Sequence, residues 1–441
     1  MASGAGVHFI GIGGIGMSAL ARLFQSRGIR VSGSDIERSE ITDALRREGI
    51  RIAVGPHRRA NIPPRTTEVI RTSAVRDSNP EVREAKKRGL ALCPYAEALG
   101  AITREYRSIA IAGAHGKSTT TALVALVLIR GGFDPTVIIG AKLNEFRDSN
   151  FRRGRSTYFV HEADEYRASF LNYSPDIAVI TNIDREHLDF YKNIFRIEAA
   201  FLKFLLRMKP RGTAILNRDD ARLRAVGRRF AARRNDCRIL WYSHRDPAAK
   251  SIRRVIKIPG KHNVSNAIAA LNVASLLHIP YPISLKAIGS YRGAWRRFDY
   301  QGKFRGADVI ADYAHHPTEI KATLQAARER FPKRRIVAVF QPHHYERLRR
   351  LFKEFVGAFH EADLALLIDV YEVVGREEQR KRANVSSAAL ARAIAKQGTE
   401  AHYLGKSVTR ANIKTYLHSG DVLLLMGAGT IWEMTKRLLR A

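Results

Sequence analysis

The chain is poor in cysteine, has no long apolar run and carries few acids for its bases, and each shortage excludes something. Cys93 and Cys237 are too few for a disulfide framework and do not stand at metal-ligand spacing, so the expected setting is a reducing cytoplasm. No apolar stretch approaches the roughly 20 residues that a membrane helix needs, so no transmembrane segment is expected. The apolar part of the N-terminus is broken by regularly spaced glycines and lacks a basic leader, which argues against a secretory signal. Acids number 42 against 75 lysines and arginines, a net charge of +33. Such a field favours anionic partners. The bases are scattered, however, as in Arg46-Arg47, Arg152-Arg153, Arg228-Arg229, Arg233-Arg234 and Arg349-Arg350, and no nucleic-acid-reading motif surrounds them. We read a basic solvated surface and expect no specific nucleic-acid partner.

What is present is an ordinary globular composition, 45% hydrophobic and 27% charged over 441 residues, enough for roughly three domains. The stretch Ile109 to Thr121 organises the rest. A short apolar run ends at Gly113-Ala114-His115-Gly116-Lys117-Ser118-Thr119, and Ala122 to Ile129 is apolar on all sides, which reads as strand, tight loop and buried helix. Glycines let the backbone wrap an oxygen-rich anion at a helix N-terminus, Lys117 adds a positive charge, and Ser118 offers an oxygen to the Mg²⁺ that travels with a nucleotide. The standard phosphate loop wants a glycine where Ile111 stands, so this is a shorter G-x-x-G-K-S form, and a glycine turn that only starts a core helix is the competing reading.

Before it, Val7 to Ile10 leads into Gly11-Ile12-Gly13-Gly14-Ile15-Gly16, then a helical stretch from Met17 to Phe24 and a strand end at Ser34-Asp35. That order places a diphosphate on Gly13, Gly14, Ile15 and Gly16 at a helix N-terminus, with Asp35 near a ribose or base. Thr72-Ser73 follows another apolar stretch and reads as a loop over the same ligand, or as a plain turn.

After the loop, Tyr158 to Glu165 is a strand ending in carboxylates. Alternation puts Glu162 and Asp164 on one face, at the sheet edge where a carboxylate can hold Mg²⁺. Asp176 to His187 delivers polar residues to the same edge. Pro259 to Asn266 opens an alanine-rich helix to about Leu277; Asn263 and Asn266 share a helix face and, with His262, suggest a nucleobase contact, although capping explains one asparagine. From Val309 to Met426 strands and helices alternate again, with polar clusters at Asp312 to Pro317 and Gln341 to Arg347. His-His-Pro at 315–317 reads as a helix cap or as a wall of the ligand cleft.

These blocks, in this order, resemble the Mur ligase family: GIGGIGMSA from Gly11, SGSD from Ser32, AGAHGKST from Ala112, EADEYRASF from Glu162, TNIDREHLD from Thr181, PGKHNVSN from Pro259, RRF from Arg296, DYAHHPTEI from Asp312, Gln341 to Arg347, and MGAG from Met426. The resemblance implies an α/β chain of three open-sheet domains. A Rossmann-like domain at 1–105 would bind a UDP-sugar, a phosphate-loop ATPase-like domain at 106–295 would bind ATP, and a Rossmann-like ligase domain at 296–441 would close over ATP and the amino acid. It is closest to the branch that adds L-alanine to UDP-N-acetylmuramate with ATP through an acyl phosphate. It implies Lys117, Glu162, His187, His315 and Arg347 at the chemistry, and Mg²⁺ in two sites on Ser118, Glu162 and His187, with Mn²⁺ as a substitute. It further implies ATP on Gly113 to Thr119, His262, Asn263, Asn266, Arg297 and Asp312, the UDP-sugar on Gly13 to Gly16, Asp35 and Ser73, and the acceptor and amino acid on His343, His344 and Arg347. Departures from the family pattern are Ala114, Ser118, Tyr166-Arg167, His344 and Thr430. Phe201 stands where other branches carry a carbamylated lysine, so no carbamate is expected.

Two alternatives stay open: a recycling ligase that attaches an intact tripeptide, and a non-catalytic nucleotide-binding module with a basic surface for nucleic acid or membrane. Composition does not give the oligomeric state.

Overall fold

Runs of β-branched and aliphatic residues alternate with helices throughout, and among the described residues they assemble three open sheets. The computed structural model describes residues 6–372 and 385–440; residues 1–5 of the first expected domain and 373–384 and 441 of the third lie outside the described residues.

The first sheet has strand order Arg51–Val54, Arg30–Asp35, Gly6–Ile10, Thr66–Arg71, Ala91–Pro94, all parallel. The central strand is flanked on both sides, which fits its burial from Val7 to Ile10. The helix expected from Met17 runs Ile15–Ser26.

In the second sheet the order is Arg238–Tyr242, Thr213–Asn217, Ile177–Ile180, Arg107–Ala112, Tyr158–Glu162, Thr136–Leu143, Ser149–Arg152, parallel except for the last pair. The phosphate-loop strand Arg107–Ala112 is thus central, and its helix, Lys117–Arg130, is buried from Ser118 to Leu128. An all-round apolar helix packed on strands explains the absence of a polar stripe in its sequence.

The third sheet runs Asp299–Phe304, Ala307–Asp312, Val422–Met426, Ile336–Phe340, Leu364–Leu367, Glu400–Tyr403, antiparallel only at Asp299–Phe304. Its two faces carry separate apolar clusters. Ile336, Ala338 and Phe340 point into one; Val337 and Val339 point into the other. That alternation is why these strands read as continuous apolar runs. The edge strands Ser149–Arg152 and Asp299–Phe304 lack such runs, and sequence reading missed both.

The chain forms two compact units: one runs to Asp184 and takes in Ile194–Asp246 and Asn266–Ile288, and the other comprises Arg185–Asn193, Pro247–Ser265 and the described residues from Gly289. The first and second sheets therefore belong to one unit and the third sheet to the other. Among the described residues no helix is long and apolar enough to cross a membrane.

Candidate active site

The phosphate loop is shaped by the neighbouring strand end. Ala114 N donates to the Asn182 carbonyl at 3.2 Å and His115 N to Asn182 Oδ1 at 2.9 Å. Thr181 Oγ1 donates to the His115 carbonyl at 2.6 Å, and His115 Nε2 lies 2.9 Å from Asp184 Oδ2. The amides of Ala114 and His115 are therefore spent inside the protein, and the free N–H groups expected of a phosphate cradle are those of the first helical turn, from Lys117 to Thr119. Gly116 caps that helix at φ +82°, and a Cβ there would come within 2.7 Å of Asn266 Oδ1. Gly113, at φ +134°, leaves no room at all, since a Cβ would fall 2.0 Å from Thr181 Oγ1. Both glycines are required by close approach, which favours a built loop over a simple turn.

Lys117 Nζ is bonded to the Gly113 carbonyl at 2.7 Å, the Ala114 carbonyl at 3.3 Å and Glu165 Oε2 at 2.9 Å, with Asp164 Oδ1 at 3.9 Å. Burial works to lower its pKa, but the carboxylates of Glu165 and Asp164 outweigh it and hold the ammonium above its ordinary range. Sequence reading missed Glu165 as this partner. Alternation assigned Glu162 and Asp164 to one strand face, but the strand ends at Glu162 and Asp164 lies beyond it, so that expectation is corrected. Glu162 accepts from Gly140 N at 2.6 Å, where a Cβ would meet its carboxylate at 2.9 Å. Phe201 is fully buried, edge-on to Phe170 at 5.2 Å.

In the first sheet, Gly11 N and Ile12 N donate to the Ser34 carbonyl at 2.8 and 3.0 Å, and Gly13 N donates to Asp35 Oδ2 at 2.8 Å. Asp35, expected beside a ribose or base, thus holds the loop itself and also accepts from Glu37 N at 3.3 Å. Ile15 and Gly16 open the helix after the N-cap Gly14. Gly16 faces the Tyr95 hydroxyl, 2.7 Å from where its Cβ would be. The Ser73 carbonyl accepts from Arg167 at 3.1 Å, so one departing residue, Arg167, ties the central segment to the loop of the first sheet.

The second unit gathers the remaining candidates, except Asn266. Asn263 Nδ2 donates to the Pro259 carbonyl at 2.6 Å, so this asparagine closes a turn, and the unit boundary falls between it and Asn266. His262 packs near Gly260, whose Cβ would lie 2.5 Å from its ring. His187 takes a left-handed conformation, φ +53°, at the start of the short helix Leu188–Tyr191.

Asp312, expected toward the ATP phosphates and ribose, spends both oxygens on backbone: Phe298 N and Ala314 N each donate at 2.7 Å. Burial pushes its carboxyl above the usual range, with Arg297 working against the shift. Arg297 lies over the Tyr313 ring at 5.0 Å, and the adjacent Arg296, which sequence reading passed over, is buried and donates to the Gly427 carbonyl at 2.7 Å. His316, not His315, caps the helix Pro317–Arg330, leaving His315 against Glu319 at 3.1 Å and edge-on to His343 at 5.8 Å.

His343 stacks on Tyr371 at 5.4 Å and touches His344 at 4.1 Å. Burial, then the neighbouring histidines and Arg347, hold His343 neutral, far below its usual value. His344 itself sits at φ +69°, a conformation L-residues rarely adopt. Arg347 donates to Glu186 Oε2 at 2.8 Å, and this nearly buried carboxylate also accepts from His187 N at 3.2 Å. Burial opposes ionisation of Glu186, but Arg347 and the surrounding histidines hold its pKa well below the ordinary range. Glu186 therefore joins two expected site residues; it stands inside the TNIDREHLD block and the polar strand end after Asp176, but neither gave this acid a role of its own.

Comparison with known proteins gives matches in all three regions: "Mur ligase family, catalytic domain" over residues 6–107, "Mur ligase middle domain" over 111–274 and "Mur ligase, glutamate ligase domain" over 296–429. The chain is 40% identical to the UDP-N-acetylmuramate--L-alanine ligase of Geobacter sp. strain M21, covering 98% of this chain and 96% of that one. The protein of the same name from Geobacter sulfurreducens is 39% identical over 97% and 95%. Among solved structures, a UDP-N-acetylmuramate-alanine ligase from Thermotoga maritima superposes with a TM-score of 0.79 at 28% identity, covering 98% of each chain. A murein peptide ligase from Psychrobacter arcticus shares the fold, with a TM-score of 0.73 at 23% identity over 99% and 98%.

Proposed function

This chain belongs to the Mur ligase family, and from that premise we propose that it joins L-alanine to UDP-N-acetylmuramate at the expense of ATP, the first amino-acid-adding step toward peptidoglycan. The observation that carries the choice of substrate is the 40% identity, end to end, with L-alanine ligases. We assign residues 1–105 to the UDP-sugar, 106–295 to ATP, and 296–441 to closure over ATP and the amino acid.

A lactyl carboxylate oxygen attacks the γ-phosphorus of ATP, and ADP leaves with the bonding pair. The amine of L-alanine then attacks the acyl carbon of the acyl phosphate, phosphate leaves, and the amine gives up a proton. Transfer between two anions needs neutralised charge and in-line positioning more than a protein nucleophile. Lys117 supplies fixed charge. Its carboxylate partners keep it protonated in a buried setting, and the first-turn amides of Lys117, Ser118 and Thr119 take phosphate oxygens. Gly113 and Gly116 allow the close approach.

Ser118 in the first helical turn and Glu162 at a strand end are hard oxygen donors that suit Mg²⁺, with Mn²⁺ as a substitute. When bound, the metal neutralises phosphate charge. The assignment of His187 to a second ion rests on the family resemblance. In the second unit Arg347 offers its guanidinium to a carboxylate, beside neutral His343 and the unusual His344. His315 and Arg297 stand with them, Arg297 for ATP. The assignment of His262, Asn263, Asn266 and Asp312 to ATP rests on the family resemblance.

Phosphate release from ATP tests this reading, with UDP-N-acetylmuramate present and L-alanine, glycine, L-serine or the tripeptide offered in turn. Release should be fastest with L-alanine. A preference for the tripeptide would reassign the chain to recycling, and no acceptor-dependent release with any of them would overturn ligation.

A further inference from the structure

Glu81 is a fully buried acid with no part in the chemistry above. It sits in the first turn of the helix Pro80–Lys87, and its carboxylate is met from four directions. Oε2 accepts from His8 Nε2 at 3.1 Å and from Ser34 Oγ at 2.6 Å; Oε1 accepts from His57 Nδ1 at 2.9 Å and from Asn61 Nδ2 at 2.6 Å. His8 Nδ1 in turn lies 2.9 Å from Ser32 Oγ. An ionised carboxylate only accepts, so both imidazoles must present N–H to it. One side chain thereby joins the first strand, the second strand, the segment after the third, and a helix start more than 70 residues from His8.

Two loops depend on that junction. The Ser34 carbonyl receives Gly11 N and Ile12 N, and the next residue, Asp35, receives Gly13 N, so the position of Ser34 sets the glycine loop. The loop carrying Ser73 begins at Thr72, whose N donates to the Ile10 carbonyl at 3.2 Å, and it ends at Asn79, which caps the helix bearing Glu81 by accepting from Glu81 N at 2.8 Å. The two loops also meet: a Cβ on Gly11 would lie 2.6 Å from the Thr72 methyl group.

We propose that Glu81 is the positioning residue of the UDP-sugar site, fixing the glycine loop through Ser34 and the Ser73 loop through its helix so that both stand ready for the sugar nucleotide. The inference rests on the function proposed above. Glu81→Gln keeps the shape but turns one oxygen into a donor that faces two donors, leaving buried polar groups unmatched.

The test uses the full chain. UDP-N-acetylmuramate binding is titrated by calorimetry without ATP, KM is measured for each of the three substrates, and thermal unfolding is followed alongside. Glu81→Gln should weaken UDP-N-acetylmuramate binding and raise its KM roughly ten- to a hundredfold, while KM for ATP and L-alanine stays within about twofold. Asn61→Ala removes a single donor and should give a smaller shift in the same direction; it decides the matter if Glu81→Gln does not fold. Glu81→Asp, which keeps the charge, should recover part of the binding. A folded variant that unfolds at lower temperature yet binds UDP-N-acetylmuramate as the wild type does would reduce Glu81 to a structural role and overturn the inference. A wild type that does not bind UDP-N-acetylmuramate would overturn the function reading itself, and this inference with it.

Discussion

Two glycine loops open helices in the same unit; both give amides to a neighbouring strand end, and they differ in the charge that follows. The loop Gly11 to Gly16 gives its amides to acceptors, the Ser34 carbonyl and the Asp35 carboxylate, and contains no lysine or arginine. The loop Gly113 to Gly116 is held by Asn182 and Thr181 and hands over directly to Lys117, a cation kept in place by Glu165. A group that is only bound needs a shaped backbone. A phosphoryl group that is transferred also needs positive charge fixed before the reaction begins.

The sharpest way to break this contrast is to remove the cation. Lys117→Ala should cost at least about a thousandfold in kcat with the fold retained, as checked by phosphate release and thermal unfolding; near-normal turnover would put the chemistry elsewhere. Next comes Gly113→Ala, which combines a left-handed backbone with a Cβ 2.0 Å from Thr181 Oγ1. It should lower stability by about 3 kcal/mol or more and abolish ATP binding, measured by calorimetry. Glu165→Gln should reduce kcat/KM for ATP roughly ten- to a hundredfold by freeing Lys117 from its charged partner, with UDP-N-acetylmuramate binding unchanged.

The smallest effect belongs to the first loop. Gly16→Ala, whose methyl would press on Tyr95, should raise KM for UDP-N-acetylmuramate about fivefold and leave KM for ATP alone. Tyr95→Ala in the same chain should relieve part of that change. If Gly16→Ala instead altered ATP affinity, the division of labour between the loops would fail.

Local pattern carried much of this reading. Glycine spacing, strand ends and the apolar helix after Lys117 are properties of neighbouring residues, and Ile336–Phe340 and Val422–Met426 formed where their aliphatic runs stand. What escaped were partnerships across distance. Glu81 meets His8 through the fold, and Glu186 meets Arg347 although 161 positions separate them. Asp164 was misplaced because alternation was carried past the end of its strand. Asp35 and Asp312 have the residue type of ligand contacts, but both are occupied by backbone amides that the fold brings to them. Arg296 was overlooked beside Arg297 because burial, not sequence, separates them.

Isotope transfer follows the carboxylate oxygen through the reaction. UDP-N-acetylmuramate labelled with ¹⁸O in its lactyl carboxylate is turned over with ATP and L-alanine, and the released phosphate is examined by mass spectrometry. Each phosphate should carry one labelled oxygen, taken up when the carboxylate attacks ATP and kept when the amine displaces the phosphate. Unlabelled phosphate, formed by attack of water on ATP, would contradict it.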